Sequence, residues 1–401
     1  MLKTVWLINQ FAGTPEIGGN QRHFHFAQYW KQKGYRTVII SNSNNHLVSK
    51  KNHGINGLHH ENGIPFYWIP TLKHTAKSPL RFVSMISFAV KVLGLFFKSR
   101  SLGKPDLIIL SSVSIFPMIP ALMLSRFFGA KKFIFEVRDL WPLTPIMLLG
   151  YSKKNILIRF VAWLEKLGYT RSDEIVSLLK GSDKYINAIS KDPKKFHCIP
   201  NGIPSNFLKN NLSDDSIYKK DDKKITLTYA GSFGFANALD PFIQFLGDQG
   251  EISHQINVIL IGDGPYLASY KKQLIQQKNI QFLGRISREE VGGYLKDSDV
   301  LFIAWHKSPI YQYGVSANKY YDYMASSKPI LSAHEGFNDL VDQYNCGISV
   351  RNRKSSIENG LREFLSLTKE EKTAMGERGR KAVENYTYEK LAQQYIEVME
   401  R

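Results

Sequence analysis

Short apolar runs alternate with amphipathic stretches along all 401 residues of this chain. TVWLIN (4–9) reads as a strand buried on both faces, because its apolar positions are nearly continuous. A loop through Gly18 and Gly19 follows, then an amphipathic helix over about 20–33 that Gly34 stops. RTVIIS (36–41), PDLIILSS (105–112), KKFIFEV (131–137) and DEIVSLL (173–179) repeat the strand pattern. The polar, turn-rich segment 201–224 interrupts the series and reads as a connection. A second series then runs through ITLTYAGS (225–232), INVILIGDG (256–264), IQFLG (280–284), DVLFIAW (299–305) and KPILSAH (328–334). Such strand–helix–strand order predicts parallel sheets with helices on both faces. The expected architecture is α/β: two tandem Rossmann-like domains, 1–203 and 204–385, with an amphipathic helix over 386–401 packing near their junction. Ligands of such sheets sit at the carboxyl ends of the strands, so the two domains are expected to face one another across a cleft.

Charge separates the halves. Residues 1–200 hold 28 Lys and Arg against 10 Asp and Glu, whereas 201–401 hold 25 of each. The whole net charge of +18 therefore lies in the first half, which predicts an anionic partner for it. No recognised nucleic-acid module and no aromatic-interleaved basic stripe is present, so nucleic acid is not expected. RFVSMISFAVKVLGLFFKSR (81–100) reads as a helix with Ser84, Ser87, Lys91, Gly94 and Lys98 along a narrow polar side. An apolar body with a basic flank suits an anionic membrane surface, and a buried helix shows the same pattern. IFPMIPALMLSRFFGAKK (115–132) is a second apolar, basic-ended segment. The chain opens MLKTVWLINQ, without the apolar run of a secretory leader, and no run of about 18 uninterrupted apolar residues occurs. Cys198 and Cys346 make neither a metal spacing nor a disulfide framework, so a reducing, cytoplasmic setting is expected.

Candidate chemistry gathers where strands end. Gly18 and Gly19 follow the first strand and precede a helix; glycines there let backbone amides approach a phosphate, and they serve a plain tight turn equally well. In the second half, YAGSFG places Gly231 and Ser232, and GDGP places Gly262 and Gly264, in the same strand–turn–helix position. GVSANKYYDYMASSKPI (314–330) is the most specific stretch. Lys319 can meet a diphosphate as a point charge, Ser316 and Asn318 can bond phosphate oxygens, and Asp322 lies one turn on, where a carboxylate could meet a ribose diol. FEVRDLWP (135–142) ends a buried strand with Arg138 and Asp139, charges that are costly there unless used or paired. His23 and His25 sit in the first helix, where one could face the cleft or both could be structural.

Together, PEIGGNQRH (15–23), FEVRDLWP (135–142) and GVSANKYYDYMASSKPI resemble glycosyltransferase family 4, over essentially the whole chain. The likeness is greatest to its bacterial members of surface-polysaccharide assembly, the O-antigen and capsule enzymes. It implies the GT-B fold and a retaining transfer from a nucleotide-sugar, usually UDP-linked, with no cofactor and no metal. The sugar would be an N-acetylated hexosamine or deoxy-hexosamine. The second domain would hold the nucleotide, with the base near Gly284 and Arg285. The first would hold a polyprenyl-diphosphate-linked saccharide acceptor at the anionic inner face of the plasma membrane. Catalytic candidates are Lys319, Asp139, Arg138 and His23. Family members carry two glutamates with seven residues between them; the second falls on Asp322 and the first on Gly314. Many also place an Arg and a Lys after the strand that opens the second domain, where GSFGFANALD (231–240) has no base. Lys319 is then expected to neutralise the diphosphate. The alternatives are a UDP-sugar 2-epimerase of the same fold and a non-catalytic nucleotide-binding protein.

Overall fold

A computed structural model describes residues 3–49, 52–74, 78, 80–209, 224–248 and 250–401. They form two compact units, Met1–Asn201 with Tyr388–Arg401, and Gly202–Thr387. Most of the expected connecting segment, 210–223, lies outside the described residues.

The first unit runs β1 (Lys3–Ile8), α1 (Arg22–Gln32), β2 (Tyr35–Ser41), β3 (Gly57–Glu61), β4 (Ile64–Trp68), α2 (Leu80–Val92), α3 (Ser99–Leu102), β5 (Leu107–Ser111), α4 (Met118–Phe128), β6 (Lys132–Val137), α5 (Leu143–Leu149), α6 (Ile156–Arg171), β7 (Glu174–Ser177), α7 (Asp183–Ser190) and β8 (Phe196–Cys198). Its sheet has the order β3-β4-β2-β1-β5-β6-β7-β8. All neighbours are parallel except the β3–β4 hairpin. Helices cover both faces, which is why Val5, Trp6, Leu7 and Ile8 are all buried and no alternation shows in β1.

The terminal helix, Tyr388–Glu400, belongs to this unit and lies against α1. The Trp30 indole N–H donates to the Ala392 carbonyl over 3.0 Å, and the Trp30 and Tyr395 rings lie 5.2 Å apart. Burying aromatic rings of this size stabilises by roughly 1.5–3 kcal/mol each, enough to hold a terminal segment.

The long apolar helix differs from its expected form. It ends at Val92, passes through a 3-10 turn at Leu93–Phe97 and reforms briefly as α3. Its polar side is also reversed at Ser84. That residue is buried, with its hydroxyl 2.6 Å from the Thr71 hydroxyl, while Leu80, Val83, Ile86 and Val90 are exposed. A bonded serine costs little to bury. The stretch Leu80–Phe97 is long and apolar enough to cross a membrane by length and composition, and about a third of it is buried.

The second unit runs α8 (Asn206–Lys209), β9 (Ile225–Ala230), α9 (Asp240–Gly247), β10 (Ile256–Ile261), α10 (Leu267–Gln273), β11 (Ile280–Gly284), α11 (Arg288–Asp297), β12 (Val300–Ala304), α12 (Asn318–Ala325), β13 (Ile330–Ala333), α13 (Leu340–Tyr344), β14 (Gly347–Val350), α14 (Lys354–Ser366) and α15 (Lys369–Val383). The sheet order is β11-β10-β9-β12-β13-β14, all parallel. The order turns at β9, where one crossover goes to β10 and the other flank begins with β12. Such a switch point opens a crevice at the carboxyl ends of the strands.

Candidate functional site

Three turns and one helix start meet at that edge of the second unit. The turns after β9, β10 and β11 are tied together by backbone bonds. Gly231 N–H donates to Ile261 O over 2.9 Å, Phe233 N–H to Asp263 O over 3.0 Å, and Gly262 N–H to Gly284 O over 2.7 Å. Gly262 has φ +129, and a Cβ there would sit 1.9 Å from the Gly231 carbonyl oxygen. A Cβ on Gly264 would meet the Phe233 carbonyl at 2.5 Å. Both glycines are therefore demanded by backbone packing. Helix α12 is pinned to the same place by Tyr323, whose hydroxyl accepts the Ala230 N–H over 2.8 Å and donates to Phe302 O over 3.1 Å.

Lys319 lies at the centre. Its Nζ donates to the Tyr229 hydroxyl over 2.9 Å and to the Asn237 side-chain oxygen, and it stands 4.4 Å from the centre of the Tyr229 ring. A Cβ on Gly231 would come within 2.2 Å of Lys319 Cε, so glycine is what lets the lysine lie across the turn. Burial pushes the ammonium down to about 7. No carboxylate bonds it among the described residues. A half-buried cation with only neutral partners is a half-made ion pair, and an arriving anion would complete it.

The other expected donor-site residues divide. Ser232 contributes its carbonyl, which accepts the Tyr229 hydroxyl and an Asn237 amide N–H over 2.7 and 2.8 Å. Ser316 lies 3.1 Å from the Tyr321 hydroxyl. Asn318, the first residue of α12, and Arg285, beside Gly284, are exposed. Asp322 is not free: its Oδ1 accepts from Arg288 Nη2 over 2.7 Å. One trio among the described residues, His334, Asp339 and Asp342, brings metal-type ligand atoms within 4.8 Å of one another. Asp339 there accepts the Val341 and Asp342 N–H groups on one oxygen and the Tyr320 and Ser332 hydroxyls on the other. With its lone pairs engaged, it acts as the cap of α13.

In the first unit, two expectations need correction. Gly18 and Gly19 both have φ +90, but their N–H groups donate to Thr14 O and Leu47 O. Amides bonded within a turn are not presented to a phosphate, and a Cβ on Gly18 would lie 2.5 Å from Leu47 O. His23 is fully buried and cannot serve as an open base. Its Nδ1 lies 3.0 Å from the Asn9 amide nitrogen and its Nε2 lies 2.8 Å from Glu136 Oε1. The amide can only donate, so the Nε2–H donates to the carboxylate. Burial alone would raise the Glu136 carboxyl, but His23 and the Arg22 guanidinium, 3.5 Å away, hold it well below the ordinary carboxylate range. This network braces the ends of β1, β5 and β6.

Asp139 stands just past β6 and is exposed. The protein around it raises its carboxyl, outweighing the opposing pull of Arg138 and Arg81. Arg138 Nη1 is buried without a hydrogen-bond partner among the described residues. The strand tip thus keeps one accessible carboxylate between two cations. Sequence reasoning missed Tyr229, Asn237, Arg288, Arg81 and Glu136. Only Glu136 left a signal, as a lone acid inside an apolar strand.

Residues 212–382 match the family described as glycosyl transferases, group 1. The chain is a glycosyltransferase. No curated protein matches it by sequence. Among solved structures, the transferase is similar to sucrose-phosphate synthase (tll1590) from Thermosynechococcus elongatus, at 13% identity and TM-score 0.74, over 99% of this chain and 98% of that one. It is similar to WaaG, a glycosyltransferase involved in lipopolysaccharide biosynthesis, at 13% identity and TM-score 0.68, over 98% and 99%. It is also similar to Anabaena Alr3699/HepE in complex with UDP and glucose, at 13% identity and TM-score 0.64, over 99% of both chains. Two α/β units with parallel sheets are the GT-B fold of the transferase, as expected from the sequence.

Proposed function

We propose that this transferase is a family 4 enzyme of bacterial surface-polysaccharide assembly. It moves a sugar from a UDP-sugar to a polyprenyl-diphosphate-linked saccharide, retaining anomeric configuration and needing no metal. The observation that carries the donor reading is the half-buried Lys319 ammonium, which has neutral partners where a diphosphate would supply charge. The UDP complex of a structural neighbour supports the choice of nucleotide, and the resemblance supports an N-acetylated hexosamine or deoxy-hexosamine.

The chemistry follows from where charge develops. The bond between the anomeric carbon and the β-phosphate oxygen breaks, so that oxygen gains negative charge in the transition state. A preorganised cation or donor at this place lowers the barrier by about 2.7–4 kcal/mol each. Lys319 is that cation, seated by Gly231, Tyr229 and Asn237 before substrate arrives. The acceptor hydroxyl bonds to the same face of the anomeric carbon and passes its proton to the departing phosphate, or to Asp139, whose raised carboxyl suits proton uptake.

The acceptor reading rests on the first unit. Its exposed apolar side chains include Val83, Ile86 and Val90 on α2 and Phe127 on α4, with Lys91, Lys98 and Arg126 exposed among them. Apolar bodies with basic flanks suit an anionic inner leaflet, where a lipid-linked acceptor resides. The deciding assay is turnover by a Lys319→Ala variant on a lipid-linked acceptor. A loss of 100-fold or more, about one barrier-lowering cation, is expected; activity within twofold of the parent sinks the assignment.

A further inference from the structure

Arg288 is the first residue of α11 and joins two parts of the donor edge. Its Nη2 donates to Asp322 Oδ1 over 2.7 Å, and its guanidinium stands 4.5 Å from the centre of the Phe207 ring. Arg288 and Asp322 keep 32% and 30% of their side-chain surfaces open. An ion pair this exposed adds little stability, so what it provides is geometry. Among the described residues, Oδ1 takes the one hydrogen bond that Asp322 accepts, and Oδ2 takes none.

Asp322 follows Lys319 by three residues on α12 and so shares its face, about 4.5 Å further along the helix axis. It precedes Tyr323, which fastens this face to the end of β9. In a nucleoside diphosphate the ribose adjoins the phosphates. With the phosphates at Lys319, the next turn of the same face is where ribose hydroxyls fall. A carboxylate that could rotate freely would select poorly between hydroxylated and deoxygenated rings.

We propose that Arg288 is a specificity-determining positioning residue. By holding one oxygen of Asp322 it fixes the other as acceptor for the ribose hydroxyls, and so favours ribonucleoside over 2′-deoxyribonucleoside diphosphates. The proposal rests on the nucleotide reading of the Lys319 site. A site built to bond a hydroxyl rejects an analogue that lacks it, because the polar group is left unpaired.

The test is calorimetric titration of the full chain with UDP and with 2′-deoxy-UDP. The parent, Arg288→Ala, Arg288→Lys and Lys319→Ala proteins are compared. The parent is expected to prefer UDP by about tenfold or more. Arg288→Ala should weaken UDP while leaving 2′-deoxy-UDP within about twofold, so that the preference collapses, and Arg288→Lys should restore part of it. Lys319→Ala should weaken both nucleotides alike. A parental preference below twofold, or an Arg288→Ala protein that keeps the parental ratio, overturns the proposal alone. A parent that binds neither nucleotide overturns the nucleotide reading and this inference with it.

Discussion

The Lys319 ammonium lies 2.9 Å from the Tyr229 hydroxyl and 4.4 Å above the centre of its ring. This contact holds the cation where water is scarce, and burial lowers it to about 7 from an ordinary 10.5. A bound diphosphate favours the charged form, so free protein above pH 7 must gain a proton when UDP binds. Titration calorimetry in buffers of different ionisation heat should show proton uptake at pH 8. UDP affinity should fall from pH 7 to 9, by at most about tenfold per unit. Affinity that is flat over this range would remove Lys319 from the phosphate site. Stability carries the opposite sign. The unfolded lysine holds its proton up to about 10.5, so this residue's contribution to stability rises as pH climbs from 7 to 10.5. Lys319→Met should remove that slope.

Two glycines of the donor edge should separate function from folding. A Cβ on Gly231 meets side-chain ends rather than backbone, at 2.2 Å from Lys319 Cε, 2.6 Å from its Nζ and 2.9 Å from the Tyr229 hydroxyl. Gly231→Ala should keep the parental Tm within a few degrees and lose UDP affinity about tenfold or more, as the lysine is displaced. A Cβ on Gly262 meets the Gly231 backbone at 1.9 Å, at φ +129. Gly262→Ala should lower stability by about 1–3 kcal/mol from backbone strain, with the clash added. Equal melting temperatures for the two variants would contradict this account.

Glu165 gives a pH signature to the first unit. Burial pushes its carboxyl up to about 8, although the Tyr185 and Tyr169 hydroxyls donate to it over 2.6 and 2.9 Å. The folded state therefore binds this proton more tightly than the unfolded chain does. Its contribution is complete below pH 4.5 and is lost as pH rises towards 8, by a few kcal/mol. Glu165→Gln should gain stability relative to the parent as pH rises from 5 to 9. Denaturant melts at a series of pH values will show it; a constant difference would place the carboxyl at its ordinary value.

The exposed side of α2 predicts membrane behaviour. Val83, Ile86 and Val90 lie outside the buried core, being exposed at 45%, 42% and 60%. Replacing all three by serine should leave the fold intact and weaken flotation with vesicles of anionic lipid by about tenfold or more. Parental binding should also weaken as salt is raised. Parental flotation by the triple variant would assign the membrane contact to another surface.

Much of the fold was legible because parallel strands buried on two faces leave continuous apolar runs. β11 occupies the residues that the pattern marks, and β1, β2, β6 and β9 differ from it by a residue or two at their ends. β3, β4, β8 and β14 were not seen. GLHHE and FHC are short and polar, and their pairing comes from neighbours in the sheet rather than from their own composition. The long helix misled because Ser84 has the pattern of a solvent-facing residue, while Thr71, thirteen residues earlier, receives it inside.

The sequence by itself determined the α/β architecture, the glycine turns after β9 and β10, and a lysine, Lys319, at the start of α12. These depend on local pattern, on backbone freedom and on the charge a residue carries. Tertiary structure decided what each group is able to do. Gly18 and Gly19 became a closed turn because Thr14 and Leu47 take their amides. His23 became a brace because Glu136, 113 residues away, meets it in the core. Burial lowered the proton affinity of Lys319, in a place made with Tyr229 and Asn237, 90 and 82 residues away. Local pattern records which groups a chain carries, but burial and pairing between distant residues set their charge and access, and those exist only once the sheets have assembled.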